Sequence, residues 1–145
     1  MTLERYVTSK MFFAWNEFLV SGSHPELVKK FFLTAHDKKV IQLGVQAILD
    51  PLREHFNKPY RITSGKRSAA LNEAVGGATT SDHLTANAVD GFVEDIDSLE
   101  LFKTILEMQL PYREVIYYPK AEVPFVHVSW NIPGKFYRHD AKIIP

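Results

Sequence analysis

The chain has 145 residues, with 17 Lys and Arg against 17 Asp and Glu, six His and no Cys, and 46% of it is hydrophobic. A chain of this length buries roughly two thirds of its unfolded surface, so a monomer with one domain over residues 1–145 is expected. Zero formal charge removes the basic surplus of a nucleic-acid binder. The missing Cys exclude a disulfide scaffold, a thiolate zinc knuckle and a cysteine nucleophile, so a metal must be held by His and carboxylates.

Residues 1–36 read as a lead segment. Its apolar run from Met11 to Val20 is broken by Asn16 and Glu17 and preceded by Glu4, Arg5 and Lys10. This run is too short and polar to span a membrane, and no small-residue cleavage site follows it. The expectation is a protein with no membrane partner and no signal peptide, cytoplasmic as synthesised. Ser21 to Pro25 reads as a loop, and the core is expected over residues 37–145.

From Asp37 to Phe56 the apolar residues Ile41, Val45, Ile48, Leu52 and Phe56 follow three-to-four spacing and predict a helix buried along one stripe, with a kink or division at Pro51. Tyr60 to Thr63 alternates as a short strand does. Ser64 to Gly77 has the composition of a short helix ending at Gly76-Gly77. A strand over Ala88 to Val93 precedes a helix between Ser98 and Gln109, with Leu99, Phe102, Ile105 and Leu106 inward and Ser98 as its cap. Two β-rich runs, Glu114 to Tyr118 and Val123 to Trp130, close the core, and residues after them form a polar tail. Helices followed by strands in hairpin order predict an α+β fold, a small antiparallel sheet backed by helices.

Three polar residues stand out. His83 lies in a Ser-Asp-His turn, Asp90 in an otherwise apolar strand, and His127 between two Val. Singly, each has an ordinary explanation: an exposed loop histidine, a strand-ending Asp-Gly turn, a hydrogen-bonded core histidine. Together, two imidazoles and one carboxylate are the three-ligand set of a catalytic zinc with a fourth position open to water. His24, His55 and His139 lack such a context and read as surface residues.

The stretch RITSGKRSAALNEAVGGATTSDHLTANAVD, together with Phe-Val-His-Val-Ser, resembles the zinc D-alanyl-D-alanine peptidases, whose fold and zinc site are shared by the hedgehog signalling domain. Residues in register include Ser64, Gly65, Arg67, Asn72, Gly76, Gly77, Ser81, His83, Asp90 and His127. The resemblance implies one Zn2+ on His83, Asp90 and His127, and a peptidoglycan stem peptide as partner. The activity it implies is that of a D-Ala-D-Ala carboxypeptidase or of an L-Ala-D-Glu endopeptidase of the phage-lysis type. It also implies that Arg67 faces the substrate and stabilises an oxyanion, and that Ser81 donates a hydrogen bond to it.

Four positions depart from the family pattern. Tyr118 and Pro124 stand where a catalytic Glu is usual, and a phenol titrating near ~10 is no base at neutral pH. Glu122, in the turn before His127, is the expected general base, with Glu114 as the second candidate. Lys66 replaces an aromatic residue, and Ala86 replaces a glycine where a left-handed backbone is expected. The acidic run Glu94, Asp95, Asp97 and Glu100 lacks the spacing of a calcium loop. The rival to the enzyme is a zinc-binding structural or recognition domain, such as a virion component, without a base.

Overall fold

The computed structural model describes residues 3–145. Short 3-10 turns at Leu3–Arg5 and Trp15–Phe18 and the one-turn helix α1 (Pro25–Val28) form the N-terminal segment. Its Val7, Phe13 and Phe18 are buried in the same apolar core as the rest of the chain.

Thr34 starts α2 (Ala35–Gly44) with a capping box: its hydroxyl accepts from Asp37 N–H, and the Asp37 carboxylate accepts from Thr34 N–H. The expected long helix is unbroken along the chain but not uniform in winding. A π-helical stretch, Val45–Leu49, joins α2 to α3 (Asp50–Phe56). Widening the helix before Pro51 places that residue in the first turn of α3, where a missing N–H costs nothing, so the chain neither breaks nor divides there. Ile41, Val45, Ile48, Leu49 and Leu52 are all buried. Asn57, in the left-handed region at φ 51°, ends α3.

Strand β1 (Tyr60–Ser64) leads to α4 (Ala69–Ala74), capped by Ser68, whose hydroxyl accepts from Leu71 N–H. A 3-10 turn at Asp82–Thr85 and strand β2 (Ala88–Val93) follow. Helix α5 (Ser98–Glu107) is capped by Asp97 rather than by Ser98, whose hydroxyl instead donates to the carbonyl of Pro124. Leu101 joins Phe102 and Ile105 in its buried face, while Leu99 and Leu106 are only partly buried.

Strands β3 (Tyr112–Tyr118), β4 (Phe125–Trp130) and β5 (Asp140–Ile143) complete a five-stranded sheet of order β1-β2-β4-β3-β5. The α+β class stands, with one correction to the expected sheet. Its first four strands are antiparallel, but β5 lies parallel to β3, so the sheet is mixed. All four side chains of β5 are exposed, so no hydrophobic alternation marks the strand within the polar tail. Val89, Val115, Val126 and Val128 turn to the helical side and are fully buried. The residues alternating with them face the opposite side, which is where the site forms.

Candidate metal centre

Cross-strand register assembles the site. Asp90 of β2 pairs directly with His127 of β4, and His127 pairs with Ile116 of β3. Side chains two apart on a strand share a face, so Glu114 joins Ile116 beside His127. The third member arrives on the 3-10 turn: Ser81 caps it by accepting from His83 N–H at 3.2 Å, and His83 is thereby turned inward. Ala86, at φ 64°, closes that turn in the left-handed conformation.

Two loop contacts fix the imidazole of His83. Its Nδ1 lies 2.7 Å from the carbonyl oxygen of Gly65, and the carbonyl of His83 accepts from Arg67 N–H at 2.9 Å. Gly65 is required by close approach, since a Cβ there would sit 2.4 Å from the carbonyl oxygen of Phe18. At Gly77 a Cβ would meet the Asn72 side-chain oxygen at 2.1 Å. These contacts account for two glycines of the motif.

A carbonyl only accepts, so Nδ1 of His83 carries a proton and donates it to Gly65. The other ring nitrogen, Nε2, faces Asp90 Oδ1 at 3.2 Å, and Nδ1 of His127 faces the same oxygen at 2.8 Å. Two ring nitrogens aimed at one carboxylate oxygen need protons or a shared cation between them. One donor atom from each of His83, Asp90 and His127 lies within 4.8 Å of the others, and this is the one such group among the described residues. Donor chemistry and spacing therefore fit a zinc ion with three protein ligands. Burial raises the Asp90 carboxyl, but the imidazoles of His83 and His127 outweigh it and hold Asp90 well below the usual carboxylate range.

The group lies in the wall of an open cavity of about 450 Å³. Arg67, Ser81, Glu114 and Tyr118 share that wall. Arg67 is braced by Asn72 Oδ1 at 3.2 Å and Ser64 Oγ at 3.4 Å, with its Nη2 3.7 Å from Asp90 Oδ2. Burial lowers its pKa against the opposing pull of Asp90. Ser81 spends its oxygen on the turn and keeps a hydroxyl proton to donate. Burial, then the carboxylates of Asp90 and Glu114, raise Tyr118, which is a neutral donor near pH 7.

Glu122 is not brought to this cavity. It is exposed in the turn between β3 and β4, ahead of the strand that carries His127. Glu114 does line the cavity, with Oε1 3.7 Å from His127 Nε2. Lys66 points elsewhere: its ammonium donates to the Leu84 carbonyl at 2.6 Å and to Asp37 at 3.3 Å. A second carboxylate cluster went unread in the sequence. Asp82, buried beside His83, is bound by Arg113 Nη1 and Lys135 Nζ, each at 2.7 Å. Its position in a Ser-Asp-His turn carries only a turn signal, and its partners lie 31 and 53 residues away.

A His-Asp-His donor set on a sheet face, with one side open to a cavity, is the arrangement of a metal-dependent hydrolase. The chain belongs to the peptidase M15 family of zinc peptidases, the family of the D-Ala-D-Ala carboxypeptidases, whose family model matches residues 25–129. No curated protein matches the chain. No helix among the described residues is long and apolar enough to cross a membrane.

Proposed function

We propose that this chain is a zinc-dependent peptidase that hydrolyses peptide bonds of bacterial peptidoglycan stem peptides. Its target is a D-Ala-D-Ala or an L-Ala-D-Glu bond, and its ligands are His83, Asp90 and His127. The observation that carries this reading is the convergence of two ring nitrogens on one oxygen of Asp90 at the wall of an open cavity. Zinc bound there supplies Lewis acidity toward a water and a scissile carbonyl.

The remaining work falls to the chain's own side chains. Glu114, a cavity carboxylate outside the ligand set, takes the proton of the attacking water and returns it to the leaving amine. Its place beside His127 supports this role over Glu122, which is exposed on the far turn. Arg67 is held by Asn72 and Ser64 before substrate arrives, so its guanidinium meets a developing oxyanion without reorganising. Ser81 and Tyr118 offer hydroxyl donors to the peptide.

The test begins with metal analysis of untagged protein, for which about one equivalent of zinc is expected; its absence sinks the proposal. Zinc-loaded protein incubated with purified peptidoglycan should release D-alanine or expose new amine termini. A zinc-replete protein that yields neither is the structural or recognition domain instead. Glu114→Gln should lower kcat by about 100-fold or more with zinc retained, and Glu122→Gln should leave it unchanged. Reversal of that pair restores Glu122 as the base.

A further inference from the structure

Three arginines face the cavity, and two of them are committed. Arg67 is bound to Asn72 and Ser64, and Arg113 to Asp82 and, through Nε at 3.2 Å, to the carbonyl of Phe136. Arg138 differs. Among the described residues no hydrogen-bond or ion-pair partner meets its guanidinium, although its backbone is fixed on both sides. Its N–H donates to Asn131 Oδ1 at 3.0 Å, and its carbonyl accepts from Asn131 Nδ2 at 2.9 Å.

The segment around Arg138 is pinned as well. Lys135 reaches Asp82 at 2.7 Å, and the ring of His139 stacks on Tyr112 with centroids 4.0 Å apart. Nδ1 of His139 lies 2.9 Å from the Tyr112 carbonyl oxygen, and β5 begins at the next residue. A stretch whose side chains are mostly exposed is thus held at four places against the turn and strand that build the site. It lies beyond residue 129, where the family match ends.

We propose that Arg138 is a specificity-determining residue that binds a carboxylate of the peptide substrate. This deepens the peptidase reading above and rests on it for the identity of the ligand as a peptide. An uncommitted guanidinium presents a planar fork of donors that matches a carboxylate through two parallel bonds, and an amide in its place forfeits the charge. The rigid backbone beneath Arg138 means that little ordering accompanies capture. A stem peptide carries such a carboxylate at its C-terminus and another on D-glutamate, and both sources share this chemistry.

The test measures affinity by calorimetry, with the full chain in zinc-free and zinc-loaded forms. The probes are L-Ala-D-Glu-L-Lys-D-Ala-D-Ala and two derivatives, one amidated at the C-terminus and one at the free carboxyl of D-glutamate. Wild type should lose about tenfold in affinity for one of the two amides, which names the carboxylate read. Arg138→Ala should bind all three peptides alike at the weaker level, and Arg138→Lys should recover part of the difference. Asn131→Ala, which frees the backbone but keeps the charge, should reduce the discrimination without abolishing it. Equal affinity of wild type for the three peptides, no binding of any, or discrimination that survives Arg138→Ala each overturns the proposal. Discrimination without hydrolysis leaves Arg138 as a carboxylate binder and removes the peptidase reading alone.

Discussion

Asp82 and Asp90 are carboxylates on either side of one turn, and they are matched with different kinds of partner. Both oxygens of Asp82 are taken up, one by the guanidinium of Arg113 and the other by the ammonium of Lys135. One oxygen of Asp90 instead receives two imidazoles, groups that can give up their protons to a metal. Asp82 lines the cavity too, but each of its oxygens already has a partner. Asp90 lines the same cavity, and its Oδ1 faces the two imidazoles in an arrangement that a cation shared with them would complete. The two carboxylates are therefore told apart by the kind of group that meets them, donor-only nitrogens at Asp82 and imidazoles able to ligate a metal at Asp90.

Exchanging the two carboxylates for neutral groups is the sharpest way to break this contrast. Asp90→Asn should abolish stoichiometric zinc in metal analysis while the zinc-free protein still melts cooperatively. Asp82→Ala should keep His83, Asp90 and His127 but destabilise the fold by about 3 kcal/mol in urea, because it takes the carboxylate away from the buried Arg113 and the partly buried Lys135. An Asp82→Ala protein as stable as wild type would show that the cluster is not structural.

Acid should sharpen the same contrast by a smaller amount. Burial raises the Asp82 carboxyl, but Lys135 and Arg113 outweigh it and hold its pKa below the usual value. A depressed pKa in the folded state stabilises at pH values above the unfolded value near ~3.9 and is lost as pH falls through the folded one. Zinc-free wild type should therefore lose stability below about pH 4 more steeply than zinc-free Asp82→Asn in the same buffers. Parallel curves would remove Asp82 from the acid response. The smallest effect is expected between the two carboxylates, at Ala86. Glycine there relieves the left-handed backbone and loses a buried methyl group, so Ala86→Gly should shift stability by less than about 1 kcal/mol in either direction.

The local features of the fold were legible. Three-to-four spacing marked the helix over residues 37–56, and the motif from Ser64 to Asp90 with His127 pointed to the residues that converge in space. What was not legible depended on register and distance. Glu122 is five residues from His127 in the chain, whereas Glu114 is thirteen away but two residues along from the cross-strand partner of His127. Strand pairing sets which of them lies beside His127, and a linear sequence does not print it. Strand β5 escaped because an exposed edge strand needs no apolar face. The wide turn at Val45–Leu49 escaped because Pro51 signals trouble in a helix without saying how the backbone resolves it. At α5, Asp97 and Ser98 are adjacent residues of equal capping ability, and only the Pro124 carbonyl draws Ser98 away.

Trp130 ends the strand that carries His127, and its indole N–H donates to the carbonyl of Val40 at 2.9 Å inside the core. The other tryptophan, Trp15, is only partly buried, and its indole bonds the Glu4 carbonyl near the surface. The protein consequently carries its own optical probe, with Trp130 emitting from an apolar environment tied to both the helical layer and the metal-site strand. Separation of that strand from α2 would shift its emission toward the red, so loosening of the site framework can be followed by light without a label.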